Sequence, residues 1–212
     1  MEGVSIETAV TMVVLPPGTL GPREVTFAVS SFVVVGRSGV GLVDTATPGS
    51  TDSIEQALVR AGATWADVAD VVLTHRHFDH TGGLSEVTRR APHATVWAGA
   101  DDIADIPTPG DRHVRAVVDG QKIGELRVIT TPGHTPGHIS LLHEGSSSVL
   151  IGDLVGSAEG APTFGPASFT ADAAANARSL RRVLDLNPAR FLFSHGRELA
   201  NAADAIGALL ED

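Results

Sequence analysis

Four side chains able to bind metal lie within the six residues His75-Arg76-His77-Phe78-Asp79-His80. Imidazole and carboxylate groups together suit zinc, and they also suit iron, manganese or nickel. Packing alone does not account for such a cluster, because burying imidazoles and carboxylates without a cation is costly. The residue types and their spacing therefore predict a metal site.

The segments on either side of this cluster predict how it is presented. Val71-Val72-Leu73-Thr74 indicates a buried strand, whose extended exit would point His75 and His77 to the same side. The paired glycines Gly82-Gly83 predict a tight turn, with the last two ligands on the bend before a helix begins. We expect one ion beside the first pair of ligands and a second ion beside the other pair.

Three more candidate ligands follow apolar segments later in the chain. His134 lies in the loop T-P-G-H-T-P-G-H, in which Pro and Gly predict a rigid turn. Asp153 comes just after the predicted strand Val149–Ile151, and His195 follows the apolar run 190–194. Because rigid strands position side chains that loops expose, we expect all three to join the first cluster.

Five segments, in a fixed order, are similar to those of a known family. They are Leu42-Val43-Asp44-Thr45, the stretch 74–83, the loop 131–138, Gly152-Asp153 and Ser194-His195-Gly196. On these segments the chain resembles the metallo-β-lactamase-fold superfamily of hydrolases over nearly its whole length. The resemblance implies an α/β fold, an αββα sandwich in which two sheets pack face to face with helices outside.

The resemblance also implies the ligand set of a dinuclear centre. That set is His75, His77 and His134 for the first ion, Asp79, His80 and His195 for the second, and Asp153 as the bridge between them. Zinc is the expected ion, with Mn²⁺ and Fe²⁺ as alternatives. Two such ions, about 3.5–4 Å apart, share a water and lower its pKa toward neutrality.

The expected reaction follows from such a centre. A hydroxide between the ions would attack an electrophilic carbonyl, with Asp79 both binding metal and orienting the hydroxide. No serine nucleophile is needed, and Ser194 is interpreted as the end of a strand. The loop around His134 is similar to that of glyoxalase II-like thioesterases and of lactonases. We therefore expect a small-molecule substrate, an ester, thioester or lactone.

Two other functions remain open from the sequence. One is a mononuclear iron oxygenase acting on sulfur, like the persulfide dioxygenases of the same superfamily, which bind one iron through part of this ligand set. The other is a metal-binding protein without catalytic turnover, which the intact Asp79 disfavours. One superfamily hosts many chemistries, so the fold cannot separate these functions.

Several residues near the predicted ligands have two possible interpretations each. His138 either orients a ligand or has an ordinary surface or structural role, and Asp44 either supports the site or forms a turn. Arg197 either meets an anionic substrate or lies on the surface. Phe164 and Phe169, in the predicted loop 154–170, either contact an apolar acyl group or pack that loop against the protein.

Composition predicts one compact domain over residues 1–212. The chain is 42% hydrophobic and 19% charged, with a net charge of -10 and no cysteine. Side-chain metal ligands must therefore come from His, Asp or Glu. The basic residues are scattered, which argues against binding of nucleic acid. No apolar run suits a membrane span or a signal peptide, so we expect a cytoplasmic protein. No oligomeric state is predicted.

The elements that must position these residues alternate between strand and helix. Predicted strands cover 8–15, 25–35, 40–43, 71–74, 94–97, 114–118, 126–130, 139–143, 149–151 and 190–194. Predicted helices cover 53–61, 84–90, 173–186 and 199–210.

Overall fold

The computed structural model describes residues 5–19, 21–110 and 113–211. Its strands are β1 Ser5–Leu15, β2 Val25–Gly36, β3 Gly39–Val43, β4 Val68–Val72, β5 Thr95–Gly99, β6 Val114–Val117, β7 Lys122–Ile123, β8 Leu126–Thr130, β9 Ile139–His143, β10 Ser148–Leu150, β11 Gly156–Ala158, β12 Ala161–Thr163 and β13 Arg190–Leu192. Its α-helices are α1 Thr51–Arg60, α2 Phe78–Thr81, α3 Leu84–Arg90, α4 Ala173–Leu184 and α5 Ala202–Leu209.

These strands form two large sheets and a small hairpin. The first sheet has the order β1-β2-β3-β4-β5-β6, antiparallel from β1 to β3 and parallel from β3 to β6. The second has the order β13-β10-β9-β8-β7, in which only the β10–β13 pair is parallel among the described strands. Helices α1 and α3 connect parallel neighbours in the first sheet, as parallel strands require.

Alternation along the strands gives each sheet two apolar faces. In the first sheet, Val33, Leu42 and Val71 pack with α1 and α3, whereas their neighbours Val34, Val43 and Val72 pack with the second sheet. In the second sheet, Leu141 faces the first sheet and Leu142 faces α4 and α5. Since side chains point alternately to opposite faces, two adjacent apolar residues supply both layers. The αββα sandwich expected from the sequence is confirmed.

The boundaries around the first ligand cluster differ from the prediction. Strand β4 ends at Val72, two residues before the predicted end, and the predicted ligands Asp79 and His80 lie in a separate short helix, α2. Gly82 has φ −62° and Gly83 has φ −80°, so neither needs the conformational freedom of glycine. A Cβ at Gly83 would instead collide with the carbonyl oxygen of Thr45. The chain turns at Gly82-Gly83 and α3 begins directly after them, as predicted, but glycine is needed there for its small size.

The second half follows the prediction more closely. Helix α4 begins at the predicted residue, where the Asp172 side chain accepts a hydrogen bond from the Ala175 N–H, and ends two residues early. Helix α5 begins at Ala202, three residues later than predicted. The stretch 154–170 was predicted as a loop but contains the β11–β12 hairpin. Across the described residues, no helix combines the length and apolar character needed to cross a membrane.

Candidate metal centre

The predicted ligands meet at one edge of the sandwich, where strands of both sheets end. The first sheet supplies His75 and His77 after β4, and Asp79 and His80 from α2. The second sheet supplies His134 after β8, Asp153 after β10 and His195 after β13. Because β10 and β13 run parallel, their carboxyl ends release Asp153 and His195 at the same edge.

The three histidines His75, His77 and His134 form the first group that could hold a metal ion. Each offers one nitrogen, and these nitrogens lie within 4.8 Å of one another. His134 Nε2 is 3.0 Å from His77 Nδ1, and the two rings stand nearly edge to face. Two ring nitrogens this close, aimed at one point, are suited to share a cation.

The second group consists of Asp79, His80 and His195, whose ligand atoms also lie within 4.8 Å of one another. Asp79 Oδ2 is 3.3 Å from His195 Nε2 and 3.7 Å from His80 Nε2. This group mixes one carboxylate with two imidazoles, whereas the first group contains imidazoles alone. The two groups therefore differ in charge.

Asp153 lies between the two groups. Its Oδ1 is 3.4 Å from His80 Nε2, and its Oδ2 is 3.2 Å from His195 Nε2. The same Oδ2 is 3.5 Å from His134 Nε2 and 3.9 Å from His75 Nε2. One carboxylate is thus within reach of ions held by either group.

Three atoms at this meeting point are buried and lack hydrogen-bond partners among the described residues. They are His75 Nε2, His80 Nε2 and Asp153 Oδ1. Buried polar atoms almost always have a partner, because leaving one without a partner costs about 1–3 kcal/mol. A divalent cation would satisfy all three atoms, so the side chains fit the metal site expected from the sequence.

Asp44 fixes the two imidazoles whose Nε2 atoms are unpartnered. Its Oδ2 accepts a hydrogen bond from His80 Nδ1 at 2.8 Å and one from the Thr74 hydroxyl at 2.8 Å. Since that hydroxyl donates to Asp44, it accepts from His75 Nδ1, 3.0 Å away. Both rings therefore carry their proton on Nδ1 and present Nε2 to a cation. Of the two roles expected for Asp44, the structure supports the one in which its side chain holds residues of the site in place.

His138 orients the central carboxylate and is not one of the grouped ligands. Its Nε2 accepts the backbone N–H of Asp153 at 3.0 Å, so its Nδ1 carries the proton and donates to the Thr131 hydroxyl at 2.9 Å. Burial lowers the pKa of His138 to about 3, which keeps Nε2 free to accept. Gly152 has φ +63°, and a Cβ there would collide with this Nε2.

The remaining second-group imidazole is held by the first sheet. His195 Nδ1 donates to the Ala28 carbonyl at 3.0 Å, and the ring packs edge to face against Phe27 at 5.4 Å between centroids. The interaction spans the two sheets, since Ala28 belongs to β2 and His195 follows β13. The same contact therefore sets the ring orientation and ties the sheets together beside the site.

The five imidazoles of the two groups divide into two electrostatic classes. Burial lowers the pKa of His75, His77 and His134, the last to about 4, so these rings are neutral near pH 7. For His80 and His195 burial acts in the same direction, but the neighbouring carboxylates, Asp153 foremost, outweigh it and raise both pKa values, that of His195 to about 10. Without a metal, these two rings are cations.

The carboxylates of the site respond to those cations. Burial by itself would raise the pKa values of Asp79 and Asp153, but the charge of His80 outweighs it, and both pKa values are lowered. Protonated His80 and His195 thus neutralise the centre when no metal is bound. A metal ion in the second group must displace their protons.

One buried carboxylate near the site was missed by the sequence reasoning. Asp102 is fully buried between the two loops that carry the first group, whereas its neighbour Asp101 is exposed. It lies in the 3-10 turn Ala100–Asp105 after β5. Two adjacent acids in a polar turn are common on surfaces, so the sequence offers no signal for this burial.

Aromatic side chains stand around the centre. Phe169 is 39% exposed and lies 6.0 Å from the His77 ring, measured between centroids. Phe78, which follows His77 in the chain, is 61% exposed. Phe164 is 41% exposed, but among the described residues its ring makes no contact with an imidazole of either group. Arg197 is exposed, and its carbonyl accepts a hydrogen bond from the Ser157 hydroxyl.

Comparison with known proteins agrees with this geometry. A family model described as the metallo-beta-lactamase superfamily matches residues 25–195. The uncharacterized protein YobT of Bacillus subtilis is 28% identical over 206 residues, covering 84% of this chain and 87% of YobT. A hydroxyacylglutathione hydrolase of Rhodospirillum rubrum is 35% identical over 108 residues, covering 49% of this chain and 40% of that hydrolase. This chain thus matches less than half of that enzyme's length.

Solved structures share the fold. The metallo-beta-lactamase family protein TTHA1429 of Thermus thermophilus has a TM-score of 0.70 and 22% identity, covering 96% of this chain and 78% of that one. TTHA1623, solved in a di-iron-bound form, has a TM-score of 0.69 and 24% identity, covering 90% of this chain and 96% of that one. With the family model matched over most of its length, the chain belongs to the metallo-β-lactamase superfamily.

Proposed function

We propose that this protein is a dinuclear metal-dependent hydrolase that cleaves an ester, thioester or lactone. One observation supports the proposal. Seven side chains, those of the two groups and Asp153, meet at one place, and three of their buried atoms lack hydrogen-bond partners among the described residues. The proposed ligands are His75, His77 and His134 for one ion, Asp79, His80 and His195 for the other, and Asp153 for both. The donors are nitrogen and oxygen, and we propose zinc, with Mn²⁺ or Fe²⁺ as alternatives.

Bound metal ions would supply hydroxide at neutral pH and stabilise negative charge on the substrate oxygen. The protein's own contribution is position and charge. Asp79 has a lowered pKa, so its carboxylate is ionised at neutral pH and can accept a hydrogen bond from an attacking water. Asp44 and His138 hold the imidazole and carboxylate groups in place. We therefore propose Asp79 as the catalytic residue that orients the nucleophile.

The surroundings of the centre support a small substrate with an apolar acyl part. Phe78 and Phe169 offer exposed aromatic surface beside His77. The nearby cation Arg76 is held by Asp105, 2.7 Å away, and so is not free for an anionic substrate. Similarity to a hydroxyacylglutathione hydrolase supports a thioester over the other two classes.

The test combines metal content with activity. Protein purified without chelators is examined by elemental mass spectrometry and then assayed on a panel of acyl thioesters, esters and lactones. About two zinc or manganese ions per chain and turnover of at least one class are expected, with Asp79→Asn losing turnover and the exposed Asp67→Asn retaining it. One iron per chain with oxidation of a persulfide would favour the oxygenase. A chain that neither retains nor rebinds metal would overturn the proposal.

A further inference from the structure

The Asp102 carboxylate accepts three hydrogen bonds although it is fully buried. Its Oδ2 accepts from the Arg76 N–H at 3.0 Å and from the Thr135 hydroxyl at 2.6 Å. Its Oδ1 accepts from the Gly137 N–H at 2.8 Å. All three donors lie in loops, and none belongs to a regular sheet or helix ladder. One backbone N–H from each of two loops, those of Arg76 and Gly137, is therefore satisfied by this one side chain.

These donors belong to the two segments that carry the first group of histidines. Arg76 stands between His75 and His77 in the chain, so its N–H fixes the backbone that aims both rings. Thr135 directly follows His134, and Gly137 lies two residues further on. Asp102 thus joins the two loops that must meet for a three-histidine group to form, although it touches none of those rings.

Close packing holds the Asp102 turn against the second loop. A Cβ at Gly99 would collide with the Gly137 carbonyl, and a Cβ at Gly137 would meet the backbone N–H and side chain of Asp102. Two glycines therefore allow the turn after β5 to sit directly on the loop from β8. The carboxylate reaches its three donors because no side chains separate the two backbones.

The charge on Asp102 is balanced mainly by these donors. The Arg76 guanidinium is 3.9 Å from Asp102 but makes its shorter contact, 2.7 Å, with the exposed Asp105. Hydrogen bonds to an ionised acceptor are roughly twice as strong as those between neutral groups. Removing the charge would therefore loosen both loops, while Asp105 could be neutralised without touching either backbone donor.

We propose that Asp102 is a positioning residue that sets the distance between the His75–His77 segment and His134, and so the affinity of the three-histidine group for its ion. This inference rests on the proposed metal binding by that group. Loss of the Asp102 carboxylate is expected to weaken binding of the ion at the first group and to change binding at the second group little. The reason is that none of the donors bonded to Asp102 belongs to the Asp79–His80 pair or to His195. A residue needed only for folding would not discriminate between the two ions.

The experiment measures Zn²⁺ affinity by chelator competition in two backgrounds: His195→Asn, in which the second group lacks one ligand, and His134→Asn, in which the first group lacks one. In the His195→Asn background Asp102→Asn is expected to weaken Zn²⁺ binding about 10-fold, the lower end of the loss seen when a group bonded directly to a metal ligand is removed. In the His134→Asn background Asp102→Asn is expected to change the affinity little.

In the His195→Asn background, Thr135→Val removes one of the three hydrogen bonds and is expected to give a smaller loss in the same direction. Asp105→Asn is the matched control, in the same turn and against the same Arg76, and is expected to leave the affinity unchanged.

A second readout follows the metal-free protein. Amide hydrogen exchange at Arg76 and Gly137 is expected to accelerate in Asp102→Asn and to stay slow in Asp105→Asn. Unchanged Zn²⁺ affinity in both Asp102→Asn and Thr135→Val would overturn the inference, as would equal losses in Asp102→Asn and Asp105→Asn. Failure of the proposed function is separate, because it shows in the parent protein as absence of Zn²⁺ binding. If Asp102→Asn does not fold, Thr135→Val decides.

Discussion

Nε2 of His138 accepts a hydrogen bond from the backbone N–H of Asp153, so a histidine outside the ligand groups positions the carboxylate that lies between them. Replacing His138 with Leu is expected to weaken metal binding about 10–100-fold, because the Asp153 backbone loses its partner. Chelator competition measures the loss. The matched control is His143→Leu, which removes another buried histidine, at the opposite end of β9, whose ring nitrogen bonds to the nearby Ser146. Equal losses in both variants would contradict this role.

Comparing Gly152→Ala with Gly160→Ala separates two effects of an added Cβ, namely backbone strain at positive φ and collision with a neighbouring side chain. Both Gly152 and Gly160 have positive φ, +63° and +82°, but only at Gly152 would a Cβ collide with a side chain, that of His138. Gly160→Ala is expected to cost about 1–2 kcal/mol of stability and no metal affinity. Gly152→Ala should cost more stability and also weaken metal binding, because His138 must move. Thermal unfolding with and without chelator measures both, and equal effects would count against the packing argument.

Asp44→Asn is expected to destabilise the metal-free protein by about 3–5 kcal/mol, because it removes a buried partner of the protonated His80. Asp44 and His80 are both fully buried, and their contact is 2.8 Å long. Urea unfolding in the presence of a chelator measures the change. The control is the exposed Asp67→Asn, which alters only the capping contacts with Thr64 seen among the described residues and is expected to cost considerably less stability. Little change in Asp44→Asn would mean that His80 is neutral in the metal-free fold.

Stability of the metal-free protein should fall as pH rises above about 6.5. The pKa of His195 is raised to about 10 in the folded protein. Below the pKa of histidine in the unfolded chain, the stabilisation that this proton gives is fully present. Above that pKa the unfolded chain loses the proton first, so the stabilisation declines until pH approaches 10. One such group changes the unfolding free energy by about 1.4 kcal/mol per pH unit. Urea unfolding in chelator at about pH 7 and about pH 9, both inside this window, tests the decline. His195→Gln should show a shallower decline.

Phe169→Ala is expected to raise KM for substrates with a long apolar acyl chain while changing kcat little. Phe169 lies against His77, whereas Phe164, similarly exposed, contacts no grouped ligand among the described residues. Burying a phenyl ring against substrate is worth about 1.5–3 kcal/mol, or roughly 10–100-fold in KM. Phe164→Ala is the control. Equal KM values in the two variants, across acyl chains of increasing length, would place the acyl group elsewhere.

The sequence predicted that these side chains would come together, because the prediction depends on side-chain type and on position at strand ends. His134, Asp153 and His195 each end an apolar segment, and parallel or adjacent strands bring such ends to one edge. Asp102 could not be predicted in this way, because two of its three partners are backbone N–H groups of loops. Loop backbones leave no residue-type pattern, and only tertiary packing defines their donors.

The boundaries of the strands and helices were likewise only partly predictable from the sequence. Leu73 and Thr74 were predicted within β4, yet the strand ends at Val72 because Asp44 takes over the Thr74 N–H. The turn predicted at Gly82 and Gly83 is present, but the sequence could not show why glycine is needed there, because a requirement for small volume and a requirement for positive φ look identical in one sequence. Periodicity predicted the layers, since an apolar pair such as Val71-Val72 must face two cores.

The place of β13 constrains when the centre can form during synthesis. This strand pairs with β10 and releases His195, about 115 residues after His80. A ribosome making about 5–20 residues per second needs several seconds to cover that distance. During that interval the nascent chain exposes the histidines and carboxylate of the 75–80 cluster without their partners. In the proposed centre the first group has all three histidines once His134 has been made, whereas an ion in the second group could be fully held only after the last strand has joined the sheet.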